Sequence, residues 1–479
     1  MRNILFFMGL FGTLAFSGCK TGELLPNQPP VTRLFVSSIE LSGDQRLNSA
    51  FRLYWTADDA DGYVTGFEFS INQAEWVFTT RTDSLFRFNI QSGSDTTDVD
   101  FRIRAIDNEG LSDPDPAQLI LPIRNTAPVA LFDSVATIPD TVYTVGSFLW
   151  SISDLDGFDT VDSIFVRANN GPWVAMPRTL TLLTALAVDP AQTGVQEALL
   201  YSGTEDRLLN VRLPGWNVGG TNRLYLRARD LAGIFSATDS TPPFFVQPKT
   251  ADLLVIDDHS DVTADTLYRS ALQALTPGYD YINLPNHPFN FWDPTFTRLL
   301  SLYDDVFWYS DGTERTSLGG LMLLEAAAFP VQRYINNGGK ILVTIRFPNR
   351  FNDPVTGRSS AMFGFSPMDS LSSSTGQARI LAGAKVIPLF GPTDTLECSQ
   401  IISGADPFYA KNASDDLYRG TITPVSGWTG PSTVCGVSRY INGEINQVFW
   451  SVELHRLNRK PQALRNVLRW TFDEAFGWE

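Results

Sequence analysis

Four polar residues that could bind a cation or a polar ligand follow an unbroken apolar run in the middle of the chain. The run is Leu253 to Ile256, and the polar residues are Asp257, Asp258, His259 and Asp261. A short continuous apolar run is typical of a strand buried on both faces, and ligands bind at the carboxyl ends of parallel strands. Carboxylates and imidazole are metal ligands, so one hypothesis is a cation site. The alternative is that the carboxylates cap the positive end of the next helix.

Two further polar residues are expected at the same edge of the sheet. Asp311 follows a predicted strand over 305–309, and Arg346 follows another over 340–345. Because the carboxyl ends of parallel strands meet at one edge, these side chains should share a crevice with the first group. The predicted ligand-binding residues are Asp257, Asp258, His259, Asp311 and Arg346. We assign no catalytic residue, no metal and no cofactor.

The elements that must position these residues alternate along the chain. Strands are predicted at 253–258, 279–284, 305–309, 340–345 and 448–452. Helices are predicted at 263–275, 293–302, 318–336 and 461–476, the third closed by Asn337-Gly338-Gly339 and the last opened by Pro461. Alternation of this kind is typical of βαβ units, so residues 249–479 are predicted to form an α/β doubly wound domain.

This order of elements resembles the class I glutamine amidotransferase-like fold, which has a flavodoxin-like sheet. The closing segment Val448 to His455, followed by Ala463 to Trp470, is similar to the end of that group. The resemblance implies a cysteine on a tight elbow after a central strand, but Thr344 to Pro348 stands there and contains neither Cys nor Ser. Covalent catalysis requires a nucleophile beside a base, so the domain is expected to bind a partner without catalysis. The alternative is a hydrolase or transferase acting in the crevice at Asp257, Asp258, Asp311 and Arg346.

Before this domain, one sequence pattern occurs twice. Trp55 and the turn Asp59-Ala-Asp61-Gly62 recur as Trp150 and Asp154-Leu-Asp156-Gly157, and 101–110 recurs as 224–233. Apolar and arginine residues alternate in 101–105, as a half-buried antiparallel strand requires. The pattern predicts two all-β sandwich domains, 31–124 and 125–248. The second has an insertion near 179–205, whose apolar start is predicted to be a short helix.

These repeats resemble the fibronectin type III and immunoglobulin-like repeats of bacterial surface proteins. Their DxDG turns could bind calcium through the carboxylates. The alternative is a turn in which Asp bonds its own backbone and Gly supplies a positive φ. Aromatic residues at 289–292 and at 308–309 could stack on sugar rings or lie in the core.

The N-terminus has the form of an export signal. Arg2 is followed by an apolar run from Ile4 to Phe16, which is too short to span a bilayer. Phe16-Ser17-Gly18-Cys19 resembles the bacterial lipoprotein signal, with Phe in place of the usual Leu. That resemblance implies a signal peptide over 1–19, a lipid on Cys19, a tether over 20–30 and a place at the cell surface, in the outer membrane. The alternative is a plain secretory signal.

Composition and cysteine usage limit the possible partners. The chain has 479 residues and a net charge of -16, which disfavours a surface that follows nucleic-acid phosphates. The predicted partners are therefore the membrane, through the lipid, and an envelope protein or glycan.

Cys398 and Cys435 are the only other cysteines. An exported chain could join them in a disulfide, or they could be separate buried thiols.

Overall fold

The computed structural model describes residues 26–36, 41–42, 46–88, 96–133, 138–276, 278–286, 289–348, 361–371, 377–425, 428–440 and 442–478. Among these, two compact units are present. The first holds the residues up to Thr126, with Leu155–Thr160 and Leu231–Gly233, and the second holds the remainder. The predicted signal peptide, Cys19 and most of the predicted tether lie outside the described residues, as does His287. No helix in the described ranges is long and apolar enough to cross a membrane.

The first unit is a β-sandwich. Its strands are β1 (Val31–Val36), β2 (Leu41–Ser42), β3 (Arg46–Asn48), β4 (Ala50–Asp58), β5 (Val64–Ile71), β6 (Val77–Thr79), β7 (Asp83–Arg87), β8 (Thr96–Asp107) and β9 (Ala117–Arg124). One sheet has the order β1-β4-β7 and the other β2-β3-β9-β8-β5-β6. Trp55 of the first sheet packs against Phe67 and Phe101 of the second, so the two faces share one core.

Strand β8 follows the predicted alternation. Phe101, Ile103 and Ala105 are fully buried, whereas Arg102 and Arg104 lie on the outer face. Arg104 pairs with Glu68 at 2.8 Å and stacks over Trp76. The aliphatic part of the arginine therefore lies on an aromatic ring while its charge stays in contact with solvent. The prediction of a half-buried antiparallel strand is confirmed.

The two DxDG turns use their glycines differently. Gly157 has a φ of +112°, which agrees with the turn alternative. Gly62 has no positive φ. A Cβ there would lie 2.2 Å from the side-chain oxygen of Asn108, so a larger residue would require the Asn108 side chain to move. The Asp61 carboxylate accepts a hydrogen bond from the backbone N–H of Gln28 at 3.0 Å.

The second unit begins with another β-sandwich. Its strands are β10 (Val129–Phe132), β11 (Thr141–Val142), β12 (Val145–Ser153), β13 (Val161–Ala168), β14 (Val174–Met176), β15 (Leu182–Ala187), β16 (Gly194–Ser202), β17 (Arg207–Val218), β18 (Thr221–Asn222), β19 (Leu224–Asp230), β20 (Asp239–Ser240) and β21 (Phe244–Val246). The sheets have the orders β10-β12-β15-β16-β17, β11-β21-β18 and β14-β13-β19-β20. The Trp150 indole donates to the Leu180 carbonyl at 2.6 Å, as the Trp55 indole does to that of Arg81 at 2.7 Å.

The helix predicted at the start of the insertion is wrong. That segment forms β15, which pairs with β12 and with β16. All six residues of β15 are buried, because Leu183 and Ala185 face the core of the sandwich and Leu186 faces the core of the C-terminal sheet. A strand that is covered on both faces has a continuous apolar sequence. Such a sequence shows no hydrophobic periodicity, so it cannot be distinguished from that of a buried helix.

The C-terminal part of the second unit contains the sheet that carries the predicted site. Its strands are β22 (Leu253–Asp258), β23 (Asp280–Asn283), β24 (Asp305–Ser310), β25 (Glu314–Arg315), β26 (Leu321–Met322), β27 (Lys340–Ile345), β28 (Met368–Leu371), β29 (Gln377–Ile380), β30 (Lys385–Pro388), β31 (Leu396–Glu397), β32 (Ile402–Ala405), β33 (Phe408–Ala410), β34 (Ser414–Gly420), β35 (Thr423–Val425), β36 (Thr433–Arg439) and β37 (Ile445–Trp450). Its helices are α1 (Val262–Gln273), α2 (Thr295–Leu300), α3 (Leu323–Ala326), α4 (Ala328–Asn336), α5 (Met362–Phe365) and α6 (Pro461–Arg469).

Nine of these strands form one mixed sheet with the order β23-β22-β24-β27-β37-β36-β34-β30-β31. The first four pairings in this order are parallel and the last four are antiparallel. Within β22, Leu253 and Val255 enter one core with α1 and α6. Leu254 and Ile256 enter a second core with α2 and α4. The strand is therefore buried on both faces, as its apolar run predicted.

The predicted α/β doubly wound domain is wrong. Among the described residues, strand makes up about 47% and helix about 15%, so this part of the chain is β-rich. A doubly wound domain has a mostly parallel sheet with a helix between successive strands. Here half of the pairings are antiparallel.

Two predicted helices also need correction. The helix expected over 318–336 is broken into α3 and α4 at Ala327, and Gly319 and Gly320 before it have φ values of +69° and +82°. Its predicted end is confirmed, since the Asn337 N–H bonds to the carbonyls of the last turn. The last helix is α-helical only to Arg469 and continues as a π-helical segment, Trp470–Ala475.

Candidate functional site

An acidic cleft lies where β22, β23 and β24 end. Its volume is about 420 Å³. It is lined by Asp257, Asp258, His259, Ser260, Asp261, Val262, Asp265, Tyr281, Asn283, Pro285, Asn286, Asp311, Thr313 and Arg315. Five of these side chains are aspartates and one is an arginine. The structure therefore brings four of the five predicted ligand-binding residues together.

Asp257 is held at the inner wall of the cleft by three donors. Its Oδ2 accepts the Tyr281 hydroxyl at 2.5 Å and the Asn283 amide at 2.9 Å. Its Oδ1 accepts the backbone N–H of His259 at 2.9 Å. Burial raises the pKa of this carboxyl, and the three hydrogen bonds only partly oppose that effect. Tyr281 and Asn283 stand two apart on β23, so their alternation could have identified them in the sequence.

Asp258 is the most deeply buried carboxylate of the cleft. Its Oδ2 accepts the Ser310 hydroxyl at 2.7 Å, and its Oδ1 contacts the Arg315 guanidinium at 3.2 Å. Burial raises the pKa of Asp258 to about 7, and the neighbouring Asp311 charge adds to that increase. The Arg315 guanidinium opposes the shift without cancelling it. Sequence reasoning missed Arg315, because it follows the irregular segment after β24 and belongs to no periodic pattern.

Asp311 organises the turn after β24. It accepts hydrogen bonds from the backbone and hydroxyl of Ser260, at 3.0 and 2.6 Å, and from the backbone of Thr313 at 3.0 Å. Burial alone would raise its pKa, but these donors outweigh burial and leave the pKa below its ordinary value. In the same turn a Cβ on Gly312 would lie 1.7 Å from the Arg346 carbonyl oxygen, and φ is +69°. Only glycine fits there.

Arg346 itself does not line the cleft. Its backbone N–H bonds to Ser310 as the continuation of β27, but its side chain is exposed. The cleft therefore contains four of the five predicted residues, Asp257, Asp258, His259 and Asp311. Its guanidinium comes from Arg315 instead of Arg346.

The first turn of α1 forms another wall of the cleft. Asp261 is the N-cap of α1, and its side chain accepts the backbone N–H of Thr263 at 2.8 Å. The capping alternative thus describes Asp261, whereas Asp257 and Asp258 do not cap the helix. Asp265, one turn further, accepts the Tyr309 hydroxyl at 3.0 Å. Both aspartates remain partly exposed and contribute negative charge to the cleft.

His259 connects the cleft to a second group of buried side chains. Its Nε2 lies 3.0 Å from Glu453 Oε1, and its Nδ1 accepts the backbone N–H of Asp261 at 2.9 Å. Glu453 also pairs with Arg456. The His455 ring lies 5.1 Å from that of His259, edge to face. Burial lowers the pKa of His455 to about 4, so this imidazole is neutral at neutral pH.

The remaining candidate residues lie elsewhere. Cys398 and Cys435 are separate, buried thiols, and burial raises the pKa of each. Trp308 and Tyr309 are fully buried core residues, whereas Trp292 is 54% exposed.

The comparisons with known proteins do not identify a family. The chain matches no known family and no curated protein. Among 82 similar solved chains are fibronectin(III)-like modules of Clostridium thermocellum CbhA, at 14% identity and a TM-score of 0.18. They cover 45% of this chain and 94% of that one. Chitinase ChiA74 from Bacillus thuringiensis is matched at 15% identity and a TM-score of 0.16, over 46% of this chain and 30% of the chitinase.

A third match is the Bacteroides ovatus mixed-linkage glucan utilization locus protein SGBP-B, solved with a mixed-linkage heptasaccharide. The identity is 12% and the TM-score 0.16, over 49% of this chain and 52% of that one. The chain thus spans about half of this protein and less of the chitinase. Nothing in these likenesses supports the resemblance to glutamine amidotransferases or the lipid anchor.

Proposed function

We propose that this chain is a non-catalytic binding protein of the bacterial cell envelope. Its β-sandwich repeats carry a C-terminal domain that binds a protein or glycan partner in the acidic cleft. A lipid on Cys19 anchors it in the outer membrane.

The observation that supports binding is that the cleft is open and its carboxylates are fixed in place. Asp257, Asp258 and Asp311 are each held by two or three donors from neighbouring strands and turns. Carboxylate oxygens accept hydrogen bonds and attract positive charge, so the complementary ligand presents hydroxyl or ammonium groups. Both sugars and lysine side chains offer such donors. Because the acceptors are preorganised, little conformational entropy is lost on binding.

Catalysis has less support. The described residues that line the cleft include no cysteine and no histidine positioned beside a hydroxyl nucleophile. The one guanidinium, that of Arg315, is engaged by Asp258 and cannot act as a base. The hydrolase or transferase alternative also relied on Arg346, whose side chain lies outside the cleft.

The binding proposal can be tested with two charge-matched double variants. Asp261→Asn with Asp265→Asn removes two cleft charges, and Asn remains a good N-cap, so α1 should persist. Asp162→Asn with Asp415→Asn removes two charges outside the cleft, where these residues pair with Arg229 and Arg439. Purified protein is titrated with fractionated envelope glycans and, in a separate arm, with purified envelope proteins.

We expect binding in one arm that weakens at least about tenfold in the cleft variant, as for loss of a charge-assisted contact, and is unchanged in the control. Equal affinity in both double variants would refute the cleft as the site. Loss of glycan binding in Trp292→Ala alone would place the site at that exposed aromatic residue instead.

The anchor needs its own experiment. Cys19→Ala should move the protein from the detergent-soluble membrane fraction to the soluble fraction, since stable anchoring depends on acyl chains. Unchanged fractionation would argue for a different mode of attachment.

A further inference from the structure

We propose that His259, Glu453 and His455 bind one zinc ion, a site that does not depend on the binding function proposed above. The three side chains are 8%, 3% and 5% exposed, respectively. One ligand atom from each lies within 4.8 Å of the others. Among the described residues this is the group of His, Cys, Asp and Glu side chains whose geometry could hold a metal.

His455 provides the second, independent observation. Both of its ring nitrogens are buried, and neither has a hydrogen-bond partner among the described residues. A buried polar atom without a partner is costly, so such an atom calls for a ligand. The ring centroids of His455 and His259 lie 5.1 Å apart, and Glu453 contacts His259. A metal bound here would supply a partner for one of these two nitrogens.

Hydrogen bonds from Thr344 and Tyr268 fix the backbone of the segment that carries Glu453 and His455. The Thr344 hydroxyl donates to the Val452 carbonyl at 2.9 Å and accepts the Leu454 N–H at 2.8 Å. The His455 N–H donates to the hydroxyl of Tyr268, which is fully buried in α1. These bonds hold the backbone of both ligands across the end of β27. Thr344 therefore helps to hold the segment that carries Glu453 and His455 in place.

The ligand set selects the class of metal. Two imidazoles and one carboxylate match zinc sites that leave a fourth position open, whereas calcium and magnesium require oxygen ligands. Zinc bound to nitrogen and oxygen at about 2 Å places its ligand atoms roughly 3.3 Å apart. His259 Nε2 and Glu453 Oε1 already lie 3.0 Å apart, so only the ligand atoms that are further apart, at up to 4.8 Å, must approach each other. Glu453 would keep its contact with Arg456, which orients the carboxylate from the second side.

Binding would also move one proton. In the metal-free ring the His259 Nδ1 accepts the Asp261 N–H, so the proton is on Nε2 and is donated to Glu453. For zinc to bind Nε2, that proton must move to Nδ1, which frees the Nε2 lone pair, and the Asp261 N–H then loses its acceptor. No electron is transferred and no proton is released. Zinc should therefore loosen the backbone at the start of α1.

The test uses the full chain, purified in detergent and stripped with a chelator, and a competing fluorescent zinc indicator. We expect one zinc per chain for the wild type. Affinity should fall on the order of 100-fold in Glu453→Gln, which keeps the shape of the side chain, and in His455→Phe. Asp415→Asn is the control, because it removes a surface carboxylate of the same unit. Far-UV circular dichroism confirms that each variant is folded.

Hydrogen exchange at Asp261 gives a second readout that adventitious zinc would not change. Exchange of this amide should accelerate when zinc is added to the wild type and stay constant in Glu453→Gln. Failure of the folded wild type to bind zinc would overturn the proposal. So would wild-type affinity in both ligand variants, or saturation by magnesium at the same concentration.

Discussion

Replacing Trp55 by Ala should destabilise the first sandwich more than any surface tryptophan can. Trp55 is fully buried, and its ring lies between 6.3 and 6.5 Å from those of Phe67, Phe86 and Phe101. Truncating a buried Trp costs about 3–5 kcal/mol, from lost transfer free energy and from the cavity that remains. A domain has a net stability of about 5–15 kcal/mol, so this change removes a large part of it.

A second substitution separates packing from hydrogen bonding. Trp55→Phe keeps most of the ring contacts but removes the indole donor, which leaves the Arg81 carbonyl without its 2.7 Å partner. We expect a loss of about 1–3 kcal/mol for that variant. Trp76→Ala is the control, because this half-buried tryptophan contributes mainly its stack with Arg104, worth about 1 kcal/mol or less.

The measurement is urea unfolding followed by far-UV circular dichroism, with hydrogen exchange to assign the loss to the first unit. We expect the loss of unfolding free energy to decrease in the order Trp55→Ala, Trp55→Phe, Trp76→Ala. If Trp55→Ala and Trp76→Ala lowered the free energy of unfolding equally, Trp55 would not be the core residue that the packing indicates.

Three further predictions concern the second unit. Asp258→Asn should change the pH dependence of stability. Because the pKa of Asp258 is raised to about 7, the folded wild type binds more protons than the unfolded chain between about pH 4 and pH 7. As the pH rises through this range, the free energy of unfolding of the wild type should fall relative to that of the variant, by up to about 4 kcal/mol, and the two slopes should be equal below pH 4. Asp206→Ala should lower the free energy of unfolding by about 2–4 kcal/mol, because the buried Asp206 carboxylate pairs with Arg298 and the φ of +61° disfavours alanine. Asp206→Asn should lower the free energy of unfolding less in the same denaturation assay. Cys398 and Cys435 should resist thiol-directed electrophiles in the folded protein and react after unfolding, because burial raises both pKa values; stoichiometric labelling of the folded chain, located by mass spectrometry, would instead indicate a reactive thiol.

The elements beside the cleft could be predicted because each has a complete local signal. Leu253 to Asp258 is a buried strand with a polar end, and α1 begins one residue after its N-cap Asp261. Lys340–Ile345 begins after the Gly338-Gly339 stop signal. In each case burial and termination both appear in consecutive residues, so no tertiary information is required.

The antiparallel half of the sheet could not be predicted in the same way. Strands such as Leu396–Glu397 and Lys385–Pro388 are two and four residues long, which is too short to show a period. The site residues missed by sequence reasoning share this limitation. Arg315 reaches Asp258 from a distance of 57 residues, and Glu453 reaches His259 from 194, so only the tertiary fold brings them together.

Strand β15 limits how this protein could have been assembled in evolution. Because its two faces belong to two cores, the second sandwich cannot be cut out without exposing the C-terminal sheet as well. The two parts should therefore unfold in one cooperative step, although a sequence boundary at residue 248 suggests separable modules. A recombination event at that boundary would leave both halves with an uncovered apolar face.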